Sequence, residues 1–252
     1  MSNFARLFTY PNQAQFKVAF ANNIEIFLVT FTIQTTLALI ISYSIYRMKR
    51  GQRFVQVITF LPVILSLVVV AFMWKMFLDP LFGPVNTFFN KIGHENWAKP
   101  WLGDMKMALP VLILIGIWKS VGFSTIVFLA GLNGINEDYL EAARIDGATE
   151  LQIFYKIMFP LLAPAFTIIS ILVFIGSFES FELPYVIGGV TGQPGGSTTT
   201  LALLFYRLAF GTIDAGVSDI GLSSAVGVIL FVFVGIGAAA GAIFLQRREV
   251  TL

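Results

Sequence analysis

The chain has 252 residues, of which 57% are hydrophobic and 12% charged, with 16 Lys and Arg against 14 Asp and Glu. Soluble domains carry about 25% charged residues, so this composition points to lipid rather than water as the surrounding medium. The absence of cysteine excludes disulfides, thiolate metal sites, iron–sulfur clusters and a cysteine nucleophile, the single His94 cannot build a multi-histidine metal centre, and a net charge of +2 with dispersed basic residues leaves no nucleic-acid footprint.

Taken in chain order, the first 20 residues lack the uninterrupted apolar run of a cleaved signal peptide. Charge-free runs then cover 26–46, 54–74, 157–178 and 220–246. Each meets or exceeds the roughly 20 residues that a helix needs to cross about 30 Å of hydrocarbon. Adding a run interrupted by Lys119 predicts five spans, at 24–46, 54–78, 107–130, 161–187 and 222–245. The expected fold is an all-α membrane protein with one transmembrane domain over 1–252.

Arg47, Lys49, Arg50 and Arg53 fall in one short turn, which places that turn in the cytoplasm. Arg247 and Arg248, after the last span, fall on the same side by parity, giving a cytoplasmic C-terminus in a multi-pass protein. The same parity puts 131–160 inside, 79–106 and 188–221 outside, and the N-terminus outside. An external start carrying Arg6 and Lys17 leaves two alternatives open: a further helix upstream, or a five-helix core that is the whole protein.

The polar stretch from Asn136 to Pro160 carries five acidic residues against Arg144 and Lys156, on the side that normally favours positive charge. Its start, EDYLEAAR, combines helix formers with acids that suit the positive end of a helix dipole, and Asp146-Gly147 supplies the stop. A second helix from about Ala148 is predicted to place Leu151, Phe154, Ile157 and Met158 on one stripe. Such a unit is either a docking element for a partner or an interfacial amphipathic linker.

The segment EAARIDGATELQIFYKIMFPLLAP resembles the signature loop of the permease subunits of binding-protein-dependent ABC importers, with Phe159 where leucine is more usual. The stretches 58–86 and 177–210 resemble the carbohydrate-uptake subfamily over its second core span and its Gly-Gln-Pro-Gly-Gly-Ser-Thr external loop. The resemblance implies the type I ABC importer permease core, with 131–160 as cytoplasmic coupling loop and Glu141, Ala142, Ala143, Asp146 and Gly147 as the element that docks on an ATPase. It further implies a non-catalytic subunit in a prokaryotic cytoplasmic membrane, importing a sugar or oligosaccharide. The expected partners are a second, different permease, two ATP-binding subunits that hold ATP and Mg, and an extracytoplasmic solute-binding protein. No cofactor is expected on this chain.

Ionisable groups within the bilayer are costly and mark a pathway or an internal pair, which singles out Lys119 and Glu179. By likeness to maltose-type relatives, the substrate path would take Lys119, Gly122, Thr125, Ser177 and Ser180, with Glu179 between the last two. Lys119 is expected to pair with Glu179, to snorkel, or to contact substrate directly; the last would favour an acidic or phosphorylated sugar. The competing function is a secondary transporter or channel titrating Lys119 and Glu179; a hydrolase lacks a nucleophile and base constellation. His94 reads as a solvated loop residue, Trp74 and Lys75 as an interfacial anchor, and the glycines from 188 to 196 as a flexible turn without a Walker lysine. Gly235, Gly237 and Gly241 present a small-residue packing face.

Overall fold

The computed structural model describes residues 2–9, 11–211 and 218–246, and among these it is helical with no strand. Helix α1 (Ser2–Leu7) leads into α2 (Asn12–Arg47), whose 36 residues begin well before the span expected at 24–46. The 26–46 run is only the hydrocarbon-matched part of α2; at about 1.5 Å per residue the whole helix exceeds the bilayer core.

The span expected at 54–78 is instead two helices, α3 (Gln52–Ile64) and α4 (Leu67–Phe77), bent by 95° at Leu65 and Ser66. Pro62 removes a donor from the last turn of α3, and the next residues swing into extended backbone. A short helix α5 (Pro84–Lys91) and a 3₁₀ turn follow, in which the His94 ring stacks on Trp97. Helix α6 (Ala108–Asn133) is the most buried of the long apolar helices and packs along α2.

The polar stretch forms α7 (Glu137–Ile145), α8 (Glu150–Ile153), a π-helical turn Phe154–Met158 and α9 (Phe159–Leu161). The expected stripe needs one correction. Leu151 is 67% exposed and Ile153 takes its place, because a π turn spends an extra residue and re-phases the face that meets Met158.

The span expected at 161–187 is present as Ala163–Gly188, long and apolar enough to cross a membrane, with a local interruption at Glu179, Ser180 and Phe181 that divides it into α10 (Ala163–Phe178) and α11 (Glu182–Gly188). Helix α12 (Leu201–Phe210) and α13 (Ile220–Gln246) are the last described helices; the expected arginines at 247 and 248 lie outside the described residues. The glycine-rich connection before α12 is no slack turn, since Thr198, Thr199 and Thr200 are all buried. On α13, Gly237 receives the Phe174 ring while Gly235 and Gly241 face open space. Large apolar side chains of α3 and α13, such as Phe54, Ile64 and Phe231, point outward, as suits a lipid-facing perimeter.

Candidate functional site

Between α2, α6 and the two helix breaks lies a cavity of about 710 Å³. Gly116, Lys119, Ser120, Phe123 and Ser124 reach it from α6, and Ser177, Glu179, Ser180 and Glu182 from the break that follows α10. The break after α10 adds Glu179 and Ser180 to the polar groups that the unbroken helices α2 and α6 supply, and non-helical backbone is tolerated where it lines a cavity.

Two residues expected in the path, Gly122 and Thr125, do not line this cavity. At about 100° per residue, Gly122 and Thr125 fall roughly 120° and 180° around α6 from Gly116, which lines the cavity. Gly122 instead receives the backbone of α3: a Cβ there would sit 2.2 Å from the Thr59 carbonyl oxygen, so only glycine permits this crossing. The Thr125 hydroxyl is buried and donates to Val121 of its own helix at 2.9 Å.

Lys119 and Glu179 share the cavity, yet the three ion pairs among the described residues do not join them. The Lys119 Nζ donates at 3.1 Å to the carbonyl oxygen of Val63, in the last turn of α3. A cation there meets the negative end of a helix and satisfies one of its unpaired carbonyls. Trp74 stacks edge-on against Trp118 at 5.6 Å, so it packs into the molecule rather than serving as a simple interfacial anchor.

Sequence reasoning missed Gln34, which is 4% exposed and lines the cavity from α2. Its Nε2 donates to Ser124 Oγ at 2.8 Å and its Oε1 accepts from Ser120 Oγ at 2.8 Å, tying α2 to α6. The available signal was an amide inside a charge-free run, where an unpaired polar group would be costly.

At the other end of α2 the element expected to dock, Glu141 to Gly147, is built on α7. The side chain of Asn136 caps it by accepting from the Asp138 backbone N–H at 3.0 Å, and Glu137 and Asp138 occupy the first turn. Leu140, 2% exposed, anchors one face among Phe128, Leu132, Ile153 and Met158. That leaves Glu141, Ala142 and Asp146 exposed, while Ala143 leans partly onto the core. Gly147 follows with φ of +80°, the left-handed conformation that ends a helix most cheaply at glycine.

Ile145 is 86% exposed and was not anticipated: it lies off the stripe of Leu140, and local sequence gives no signal that an isoleucine beside Asp146 should face solvent. Glu150 braces the surface by accepting from Arg144 Nε at 3.3 Å and from Arg47 at the end of α2. Desolvation alone would raise its carboxyl, but the bonds and charges of Arg144 and Arg47 outweigh it and hold the group below the ordinary glutamate range. The Thr149 hydroxyl and Gln152 side chain complete a capping box on α8.

Comparison with known proteins places this arrangement. The probable ABC transporter permease protein YurN of Bacillus subtilis is 28% identical over 212 residues, covering 83% of this chain and 71% of that protein. The trehalose/maltose transport system permease protein MalF of Thermococcus litoralis is 31% identical over 206 residues, covering 82% and 66%. The chain thus spans about two thirds of the length of these curated relatives. Among solved structures, a bacterial ABC transporter involved in the import of the acidic polysaccharide alginate superposes with a TM-score of 0.85 at 25% identity, over 98% of this chain and 83% of that one. Residues 34–250 match the binding-protein-dependent transport system inner membrane components, and with its type I ABC importer permease fold the chain belongs to that family.

Proposed function

We propose that this chain forms one half of the translocation path of an ATP-driven importer for a sugar or oligosaccharide, as its maltose and trehalose relative is named for. The observation that carries the reading is the mounting of α7: Leu140 fixes it to the span core while Glu141, Ala142 and Asp146 stay open to a partner. A movement imposed on α7 therefore moves α6 and α10, which wall the cavity.

Two ATP-binding subunits would receive Glu141 to Gly147 of this chain and the corresponding element of a second, different permease. Binding and hydrolysis of ATP with Mg in those subunits would supply the free energy. This chain's part is mechanical: α7 transmits, and the cavity opens alternately to either side of the membrane, taking substrate outside from a solute-binding protein. On this reading the chain is a non-catalytic subunit of a cytoplasmic membrane complex, with its C-terminus inside.

For the substrate, the cavity wall offers hydroxyl groups, an amide and aromatic surface, the groups that recognise sugar hydroxyls and ring faces. Lys119 is engaged by the Val63 carbonyl while Glu179 and Glu182 line the same wall, so this half of the path suits a neutral sugar better than an acidic one. Uptake by the reconstituted complex of a neutral oligosaccharide and of a uronate-bearing one, with Lys119→Ala alongside, tests this. Neutral uptake that survives in Lys119→Ala supports it; selective loss of uronate uptake in Lys119→Ala reverses the charge preference. Transport without any ATPase, driven by a proton or sodium gradient, would return the function to a secondary transporter.

A further inference from the structure

The break between α10 and α11 leaves backbone groups without helical partners at the point where the chain enters the cavity. Had α10 continued, the Ser177 carbonyl would have met the N–H of Phe181, which instead lies in the break. The Ser180 carbonyl faces a harder shortage: its partner four residues on is Pro184, which has no N–H. Both carbonyls are satisfied by side chains distant in sequence. Asn23 Nδ2 donates to Ser177 O at 2.6 Å, and Thr200 Oγ1 donates to Ser180 O at 2.6 Å.

The same two side chains also serve the start of α12. Asn23 Oδ1 accepts from the Leu201 N–H at 2.8 Å, and Thr200 Oγ1 accepts from the Leu203 N–H at 3.3 Å. Those are the first N–H groups of that helix, which its own backbone leaves unpaired. Asn23 and Thr200 are both 0% exposed, so no water competes for these bonds. Beside them, Asn22 Nδ2 donates to Ser197 O at 2.9 Å and Thr199 O at 2.8 Å, fastening the glycine-rich connection to α2.

We infer that Asn23 and Thr200 form a clip of positioning residues that sets the cavity wall made by Glu179, Ser180 and Glu182. Neither clip residue lines the cavity. Each acts through the backbone of the segment that does. The Thr200 hydroxyl stands in for the proton donor that Pro184 lacks, and the Asn23 amide bridges the end of α10 to the start of α12 across α2. Only the consequence for transport rests on reading this cavity as a translocation path; the clip itself is a statement about the chain.

The natural chain has no cysteine, so one introduced thiol reports alone. The reporter is Glu179→Cys, with Phe123→Cys on α6 in the same cavity as control, each labelled by a charged maleimide in membranes. Adding Thr200→Val, which keeps shape and removes the hydroxyl, is expected to change the Glu179→Cys labelling rate about tenfold, the scale of one lost buried hydrogen bond. Asn23→Asp, which keeps the acceptor and loses the donor, should do the same. Thr200→Ser should restore the original rate, and Phe123→Cys should not respond. Unchanged Glu179→Cys labelling in Thr200→Val, or equal changes at both reporters, would overturn the clip. Should the variants fail to accumulate, amide hydrogen exchange on the unsubstituted chain decides: slow exchange at Leu201 and Leu203 is expected, and exchange as fast as at an exposed helix start would refute it. None of these readouts needs ATP or an ATPase, so failure of the clip and failure of the importer reading are separate results.

Discussion

Helix α2 meets the polar stretch 136–160 at Arg47 and the cavity wall at Asn23, and the two contacts differ in kind. Arg47 and its partner Glu150 are each 47% exposed by side chain, and Arg144 shares the same carboxylate. Asn23 is sealed from solvent and bonds to backbone on two other elements. The two residues stand about 36 Å apart along one uninterrupted helix. Exposed ion pairs are screened and exchange partners readily, whereas a buried amide that loses its partner has no substitute. On the proposed function, the first kind of bond suits a surface that seats an ATPase and lets its contacts rearrange, and the second suits a wall that keeps its shape while substrate passes.

The buried side of this contrast should give the largest loss when broken. Gly122→Val drives a Cβ into the Thr59 carbonyl and should cost about 3 kcal/mol or more of stability, read as a lowered melting temperature in detergent. A melting temperature equal to the parent's would mean that the α3–α6 crossing is looser than its geometry shows. At the docking surface, Glu141→Lys leaves the fold alone and reverses a charge where an ATPase is proposed to sit. ATP-driven uptake should fall about thirtyfold with the subunit still in the membrane. Gly147→Asp should act in the same direction through the helix end, because φ of +80° costs about 1–2 kcal/mol for a side-chain-bearing residue.

An intermediate case sharpens the comparison. Lys119 is part-buried and holds the end of α3, so Lys119→Met should destabilise by about 1.5 kcal/mol while Lys119→Arg retains most of the parent's stability. Equal melting temperatures for all three would remove Lys119 from the support of the break. The smallest effect belongs to the exposed network: Arg47→Gln should cost about 0.5 kcal/mol, vanishing in high salt. Glu150 is held below its ordinary value of 4.5, so the contribution is fully present above that pH and is lost as pH falls through the lowered folded-state value. Amide exchange over α8 against pH should show protection constant from neutrality to about pH 5 and declining only below. Protection that declines already near pH 6 would point to another group.

The same contrast explains what could be read from the chain alone. The polar stretch 136–160 is local: the acids at the start of α7 and Asp146-Gly147 at its end each act within a few residues, so their pattern survives in one dimension. The cavity is not local. Asn23 and Ser177 are 154 positions apart and Gln34 and Ser124 are 90, and nothing near any of them in sequence names the partner. Lys119 and Glu179 were visible because charge in an apolar run is conspicuous, but their separate employment depends on two helix breaks. Those breaks were hidden by composition: Pro62 and Pro184 lie in runs apolar enough to read as unbroken spans, and hydropathy is blind to a missing N–H. Gly122 shows the same limit from the other side: it lies only about 60° around α6 from Lys119, and nothing near it in sequence announces that the backbone of α3 at Thr59 packs against it.

The central claim is that α7 is the seat of an ATPase, and recovery of partners from membranes tests it most directly. The tagged chain is purified in mild detergent beside its Glu141→Lys variant, and the proteins that accompany each are identified by mass spectrometry. The expected result is an ATP-binding subunit and a second permease with the parent chain, and the second permease alone with Glu141→Lys. Recovery of the parent chain with no ATP-binding subunit, or an undiminished yield of that subunit with Glu141→Lys, would contradict it.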